Sequence, residues 1–195
     1  MDDRLNNATQ LVETLMKSFV VEGQTCLDAT AGNGMDTVTL ANLVGDCGLV
    51  YSFDIQKEAI KNTEELLIRK NLRHRVNLIE DSHVDIQEYI GHKIDFVVYN
   101  LGYLPGGDKA IRTDSSTTSK SIKNALEIMA PGAIMLITSY RGHEGGLLEY
   151  EAVKKITEGL DQKKYNVFEF KFINQKNNPP VTIGVEVRGG KTWQR

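Results

Sequence analysis

The chain has 195 residues, of which 41% are hydrophobic and 25% charged, with a formal net charge of −3 at pH 7. That length suits one domain with a substantial core, expected over residues 1–195 with 1–22 as an N-terminal helix packed on it. The charge excludes a protein that coats nucleic acid by bulk electrostatics, although local basic clusters stay open.

No apolar run approaches the length of a membrane span, so no membrane association is expected. The polar, acidic start M-D-D-R-L-N-N lacks the basic-then-apolar form of a signal peptide. The two cysteines, Cys26 and Cys47, have no metal-ligand spacing, and no other His, Cys or Asp set has it either. The expected compartment is the cytoplasm, with both thiols reduced.

Apolar residues at Leu5, Ala8, Leu11, Val12, Leu15, Met16 and Phe19 recur with a helical period over 4–20. Gln24 to Ala29 reads as a first strand. It runs into D-A-T-A-G-N-G-M-D-T over 28–37, a glycine turn and the start of a helix reaching about Leu43. After the turn Gly45-Asp46-Cys47-Gly48, a second strand from Leu49 to Phe53 ends in Asp54, and a helix covers Lys57 to Lys70. Val76 to Ile79 is a short strand ending in Glu80-Asp81-Ser82-His83, and Val84 to Ile90 a short helix. Ile94 to Tyr99 is a fourth strand ending at Asn100.

The loop L-G-Y-L-P-G-G-D-K follows, of a length that compact domains usually reserve for function. The run T-D-S-S-T-T-S over 113–119 reads as a lid or a helix cap. Thr117 to Met129 is a helix stopped by Pro131-Gly132, Ala133 to Thr138 a fifth strand, and Leu147 to Leu160 a helix. Strands at Val167 to Phe172 and Val181 to Arg188 flank the turn Asn177-Asn178-Pro179-Pro180. A helix, five βα units and a closing hairpin predict an α/β fold: a seven-stranded, mostly parallel sheet, one strand reversed, with helices on both faces. This is the Rossmann-like topology of class I methyltransferases, whose ligands bind beyond the carboxyl ends of the strands.

The unusual polar residues all fall at those ends. In D-x-x-x-G-x-G, Asp28 precedes Gly32 and Gly34, and Thr37 stands where a dinucleotide fingerprint wants a small residue. A carboxylate there repels a pyrophosphate and suits a cationic amino-acid end, so the pattern resembles the first motif of the S-adenosylmethionine methyltransferases. Thr30, Asn33 and Asp36 add polar groups to the same turn. Asp54 has the position of a ribose-binding acid, with Gln56 beside it. Asp81, with Ser82 and His83, is placed to meet an adenine amino group. Helix capping is the plain alternative for these acids, and capping or packing for His83. Asn100-Leu101-Gly102-Tyr103 keeps the polar and aromatic ends, without the prolines, of the [D/N]-P-P-[Y/F] motif of amino-group methyltransferases. In that motif the polar side chain and a following carbonyl accept from the amine, and the ring stacks on the target.

The combination of D-A-T-A-G-N-G-x-D-T, F-D-I-Q, N-L-G-Y-L-P-G-G-D-K and Y-R-G-H-E-G-G resembles a small bacterial family of class I methyltransferases labelled rRNA methylases. That family includes the tRNA wobble-uridine enzymes that convert 5-aminomethyl-2-thiouridine to its 5-methylaminomethyl form. The resemblance spans the chain from the N-terminal helix to the final strand. One departure is Arg141 before Gly142, where many relatives carry proline. The resemblance implies S-adenosylmethionine as cofactor, the tRNA anticodon stem-loop as partner and an exocyclic amine at wobble position 34 as nucleophile.

An alkylamine needs only deprotonation and alignment, so Asn100, the Leu101 carbonyl and Tyr103 suffice for positioning. His143, Asp108 or water are candidate proton acceptors. Neither cysteine lies at the fourth or fifth strand end, which argues against carbon-5 methylation of a pyrimidine. Lys109, Arg112, Arg141 and His143 flank the expected mouth as RNA contacts, and Trp193 is a candidate to stack or to lock the tail. Methylation of ribosomal RNA or a small amine, a NAD-dependent oxidoreductase and a non-catalytic binding module remain as alternatives. The oligomeric state is open, a homodimer included.

Overall fold

The computed structural model describes residues 7–104, 106 and 112–189. Asp108, Lys109 and Trp193 therefore lie outside the described residues. Helix α1 (Ala8–Phe19) leads into β1 (Thr25–Asp28), α2 (Met35–Val44), β2 (Leu49–Asp54), α3 (Lys57–Arg69), β3 (Val76–Glu80), α4 (Ile86–Tyr89) and β4 (Ile94–Leu101). Then come α5 (Ser115–Ile128), β5 (Met129–Ser139), α6 (Gly146–Glu158), β6 (Tyr165–Lys171) and β7 (Val181–Val187). The seven strands form one sheet in the order β3-β2-β1-β4-β5-β7-β6. Strands β1 to β5 pair in parallel, and β7 lies antiparallel between β5 and β6. The order reverses between β1 and β4, and such a switch point opens a crevice at the carboxyl edge.

The central strands read as continuous apolar runs because both their faces are covered. Residues alternate between two cores with the period of two that a pleated strand imposes. Leu27, Phe53, Val97, Tyr99, Met135 and Ile137 pack with Ile86 of α4, Ile122 of α5 and Val153 of α6. Cys26, Val50, Phe96, Val98 and Leu136 pack on the other face with Met16 of α1, Leu40 and Val44 of α2, and Leu67 of α3. Cys26 is thus a core residue, its thiol pushed up by burial.

Gly34 and Gly184 are among the glycines required by contact. Gly34 has φ of 81° at the N-terminus of α2, and a Cβ there would stand 2.9 Å from the Thr63 hydroxyl. Opposite Gly184 on β7, the ring of Phe168 on β6 lies where a Cβ would be, 2.1 Å from the nearest ring carbon.

The starts of β5, β6 and α5 differ from the sequence expectation. Pro131-Gly132 does not separate helix from strand, because β5 begins at Met129 and carries both residues. The register jumps there from Ile94↔Met129 to Phe96↔Ile134, a bulge that accommodates a residue without an N–H. Strand β6 begins two residues earlier than Val167. Helix α5 starts at Ser115, two residues before Thr117, because Asp114 caps it. The Asp114 carboxylate accepts from the amides of Ser116 at 2.8 Å and Thr117 at 3.2 Å. The run 113–119 is therefore a helix cap.

Hydrogen bonds led by the Ser116 hydroxyl hold the Asp114 carboxyl down to about 2. Asp114→Ala should lower stability by about 1 kcal/mol, read as a lower urea midpoint at unchanged m-value. A depressed folded pKa stabilises above the unfolded value and is lost below it. The gap between wild type and variant should therefore close as pH falls from 3.8 toward about 2.

Candidate active site

A cleft of about 1070 Å³ runs along the carboxyl edge of the sheet. The floor of its first half is the turn after β1. Asp28 has no exposed surface there; it accepts from the Thr30 amide at 3.1 Å and the Thr37 hydroxyl at 2.6 Å. Thr37 in turn lies 2.8 Å from the Ser52 hydroxyl on β2. Asp28, Gly34 and Thr37 do not line the cleft. The direct contact expected of Asp28 with a cationic ligand is thus corrected: its oxygens are turned into the fold, and it shapes the turn from beneath.

Thr30, Gly32, Asn33 and Asp36 do line the cleft. The Thr30 hydroxyl accepts from the Asn100 amide at 2.7 Å, which ties the end of β4 to the turn. Asp54 closes the turn from the neighbouring strand, accepting from the Gly32 amide and the Gln56 amide, each at 2.9 Å. Each oxygen of a carboxylate keeps a second lone pair when it holds one N–H. Asp54 is therefore oriented by the backbone and still able to accept from a diol. Ile55, 58% exposed, offers an apolar wall beside it.

At the far end, Asp81 accepts from the Tyr89 hydroxyl at 2.6 Å and from Ser82 N at 2.7 Å, and these bonds hold its carboxyl below the ordinary range. The Ser82 hydroxyl caps the one-turn helix at His83 by accepting from Val84 N. His83 is buried edge-on to Tyr99, and desolvation lowers its pKa to about 4.

The second half of the cleft is built by two loops. Asn100 leaves its Oδ1 buried without a partner among the described residues, while its Nδ2 reaches Asp36 at 3.4 Å. Tyr103 and Arg112 form an isolated bridge that closes the base of the loop between them. Gly102 N donates to the Thr113 hydroxyl at 2.9 Å, and Thr113 N returns to the Gly102 carbonyl at the same distance. Opposite stands the 140–145 loop, whose His143 ring meets Tyr103 edge-on at 5.8 Å. Arg112 pairs with Glu144 across the mouth at 3.5 Å. Arg141 donates to the Pro179 carbonyl at 3.0 Å and lies over the Tyr150 ring, so its guanidinium braces the wall.

Several residues in or beside the cleft carried no signal of a site in the sequence. Thr9 belongs to α1, and Asn177 to Pro180 fold over from the β6–β7 turn. Glu149 on α6 is 2% exposed and holds Thr113 and Thr118 by their hydroxyls at 2.9 and 2.6 Å. Its neighbours Leu147 and Leu148 are exposed, so the apolar pattern points away from the buried side.

The chain matches the family described as "Putative rRNA methylase" over residues 50–186. It belongs to that family. A chloroplastic tRNA (mnm(5)s(2)U34)-methyltransferase of Arabidopsis thaliana is 35% identical over 186 residues, covering 90% of this chain and 68% of the relative. A "putative rRNA-methylase" of Clostridium thermocellum superposes with a TM-score of 0.91 at 43% identity, over 94% of this chain and 98% of that one. A "putative methyltransferase" of Streptococcus mutans, solved in complex with SAH, gives 0.85 at 34% identity, over 96% and 99%. The fold of this rRNA methylase family member is that of the class I S-adenosylmethionine-dependent methyltransferases.

Burial raises the carboxyls of Asp28, to about 7, and of Asp36, Asp54 and Glu149. A raised folded pKa means the native state binds more protons than the unfolded one. That contribution is full below the unfolded value of 3.8 and is lost as pH rises through about 7. Urea unfolding of the ligand-free protein should show stability falling by a few kcal/mol between those limits, on the order of one per shifted unit. The slope should be shallower in Asp28→Asn.

Proposed function

We propose that this chain is an S-adenosylmethionine-dependent methyltransferase of the cytoplasm. Its substrate in this reading is the exocyclic amine of 5-aminomethyl-2-thiouridine at wobble position 34 of tRNA, and its product the 5-methylaminomethyl nucleoside. The observation that carries the amine assignment is the Asn100 Oδ1. It is a buried acceptor without a donor among the described residues, at the junction of the two halves of the cleft. Buried acceptors are almost always satisfied, so an N–H is wanted there. The tRNA assignment is supported by the 35% identity to the plant wobble-uridine enzyme.

The residues present suit the cofactor. Asp54 accepts from the ribose hydroxyls, with Gln56 at its side. Asp81, Ser82 and His83 edge the adenine. Thr30, Gly32, Asn33 and Asp36 surround the amino-acid end, above the turn braced by Asp28, Gly34 and Thr37. Bound S-adenosylmethionine supplies an electrophilic methyl group. Asn100 Oδ1 and the Leu101 carbonyl accept from the substrate nitrogen and aim its lone pair. Tyr103, 37% exposed, stacks on the unpaired uracil. Arg112 meets backbone phosphate of the anticodon stem-loop at the rim, and Arg141 supports the wall behind it. Asp108 and Lys109 are candidate RNA contacts outside the described residues.

The test offers purified protein and labelled S-adenosylmethionine to bulk tRNA and ribosomal RNA that lack the native modification. Nucleoside digestion and mass analysis follow. The expected product is methylated 5-aminomethyl-2-thiouridine from tRNA. Asp54→Ala should abolish cofactor binding by calorimetry. Asn100→Ala should lower kcat about 100-fold, the usual loss when one aligned polar group is removed. Methyl gain confined to ribosomal RNA would sink the tRNA assignment.

A further inference from the structure

Two buried groups that cofactor binding does not explain stand at the second half of the cleft, one lining it and one behind its wall. One is the His143 Nε2, buried and without a hydrogen-bond partner among the described residues. The other ring nitrogen, Nδ1, lies 3.0 Å from the Glu144 carbonyl. A carbonyl only accepts, so Nδ1 carries the proton of the neutral ring and Nε2 presents a lone pair. The loop backbone fixes this tautomer. Glycines flank Nε2: a Cβ at Gly102 would stand 3.5 Å from it, and one at Gly146 only 3.0 Å. The Gly102 side therefore leaves room for one substrate atom beside the lone pair, one residue from the Leu101 carbonyl. Tyr103 meets the imidazole edge-on.

The other group is Glu149, buried on two hydroxyl donors. Among the described residues no cation lies within ion-pair distance of it. Two hydroxyls compensate a buried carboxylate poorly, and a charge held this way favours a cation nearby. The positive group that acts on it is His143, once protonated, while Asp114 at the start of α5 opposes. The other charges facing the imidazole are Arg112 and Glu144, which pair with each other.

We infer that His143 Nε2 accepts the proton of the substrate ammonium, and that Glu149 is the positioning residue that favours the resulting imidazolium. This rests on the amine reading above. An N–H bond of the R-CH2-NH3+ group breaks and an Nε2–H bond forms. The positive charge moves from substrate to ring, and the freed nitrogen lone pair stays aimed by Asn100. The ring then returns its proton to water.

The experiment compares wild type, His143→Ala and Glu149→Gln in steady-state tRNA methylation from pH 6.5 to 9.5, with 15N NMR of the histidine rings. His143→Ala should lower kcat about 100-fold at pH 7 with little change in KM for tRNA. The deficit should shrink as pH rises, because the amine then loses its proton to solvent. Glu149→Gln should lower kcat about tenfold, again without raising KM. The ring of His143 should carry its proton on Nδ1. A deficit constant with pH, or a neutral ring protonated on Nε2, overturns the inference. If wild type methylates no tRNA, the substrate reading fails, and the NMR tautomer alone decides for or against His143 as an acceptor.

Discussion

Asp28 ends β1 with no surface exposed, and its two oxygens hold the Thr30 amide and the Thr37 hydroxyl. Those two bonds tie the last residue of the strand to both sides of the glycine turn and to the first turn of α2. Thr37 carries the connection on to Ser52 of β2, and Thr30 to the Asn100 amide at the end of β4. Three neighbouring strand ends are thus locked by one buried carboxylate. Removing it would leave the Thr30 amide and the Thr37 hydroxyl to find other partners in a place that water does not reach. Gly34 serves the same lock, since its left-handed backbone lets the chain turn into α2 against Thr63.

From that anchor the two halves of the cleft differ in construction. The first half stands on β1, β2 and β3, where Asp54 and Asp81 are each oriented by backbone amides. Groups held by backbone keep their geometry, which suits a ligand that is the same in every turnover. The second half stands on loops after β4 and β5, joined by an edge-on aromatic contact, an exposed ion pair and the Glu149 hub. An ion pair with Glu144 88% exposed contributes little to stability. Glu149, buried in α6, keeps the bases of these loops in place through Thr113 and Thr118.

The fold and half the cleft were legible because their signals are local. Strand-ending acids, the paired glycines and the βα alternation all lie within short windows, and Asp54 and Asn100 are where those windows place them. What escaped depended on distant partners. Asp28 looks like a ligand in sequence, yet its oxygens are held by the nearby Thr30 amide and by the hydroxyl of Thr37, 9 residues away, which Ser52 in turn supports. Glu149 follows two leucines that a periodic pattern would bury, yet it is the glutamate that packs inside, because Thr113 and Thr118 of another segment offer it donors. Pro131 reads as a break, and it is a bulge only because β4 continues past it to pair with Ile134.

The charge distribution bears on what such a cleft can admit. Asp28, Asp36, Asp54 and Glu149 all have carboxyls raised chiefly by burial, and none is paired with a lysine or arginine among the described residues. An acidic interior of this kind draws cations and releases protons as they enter, since a positive ligand pulls each raised carboxyl back down. The same field repels phosphate, so a polyanion can be engaged only at the rim, where Arg112 stands. The net charge of −3 makes the point sharper, because no overall attraction helps a nucleic acid to arrive. An interior arranged in this way favours a ligand that is cationic at the atom that enters.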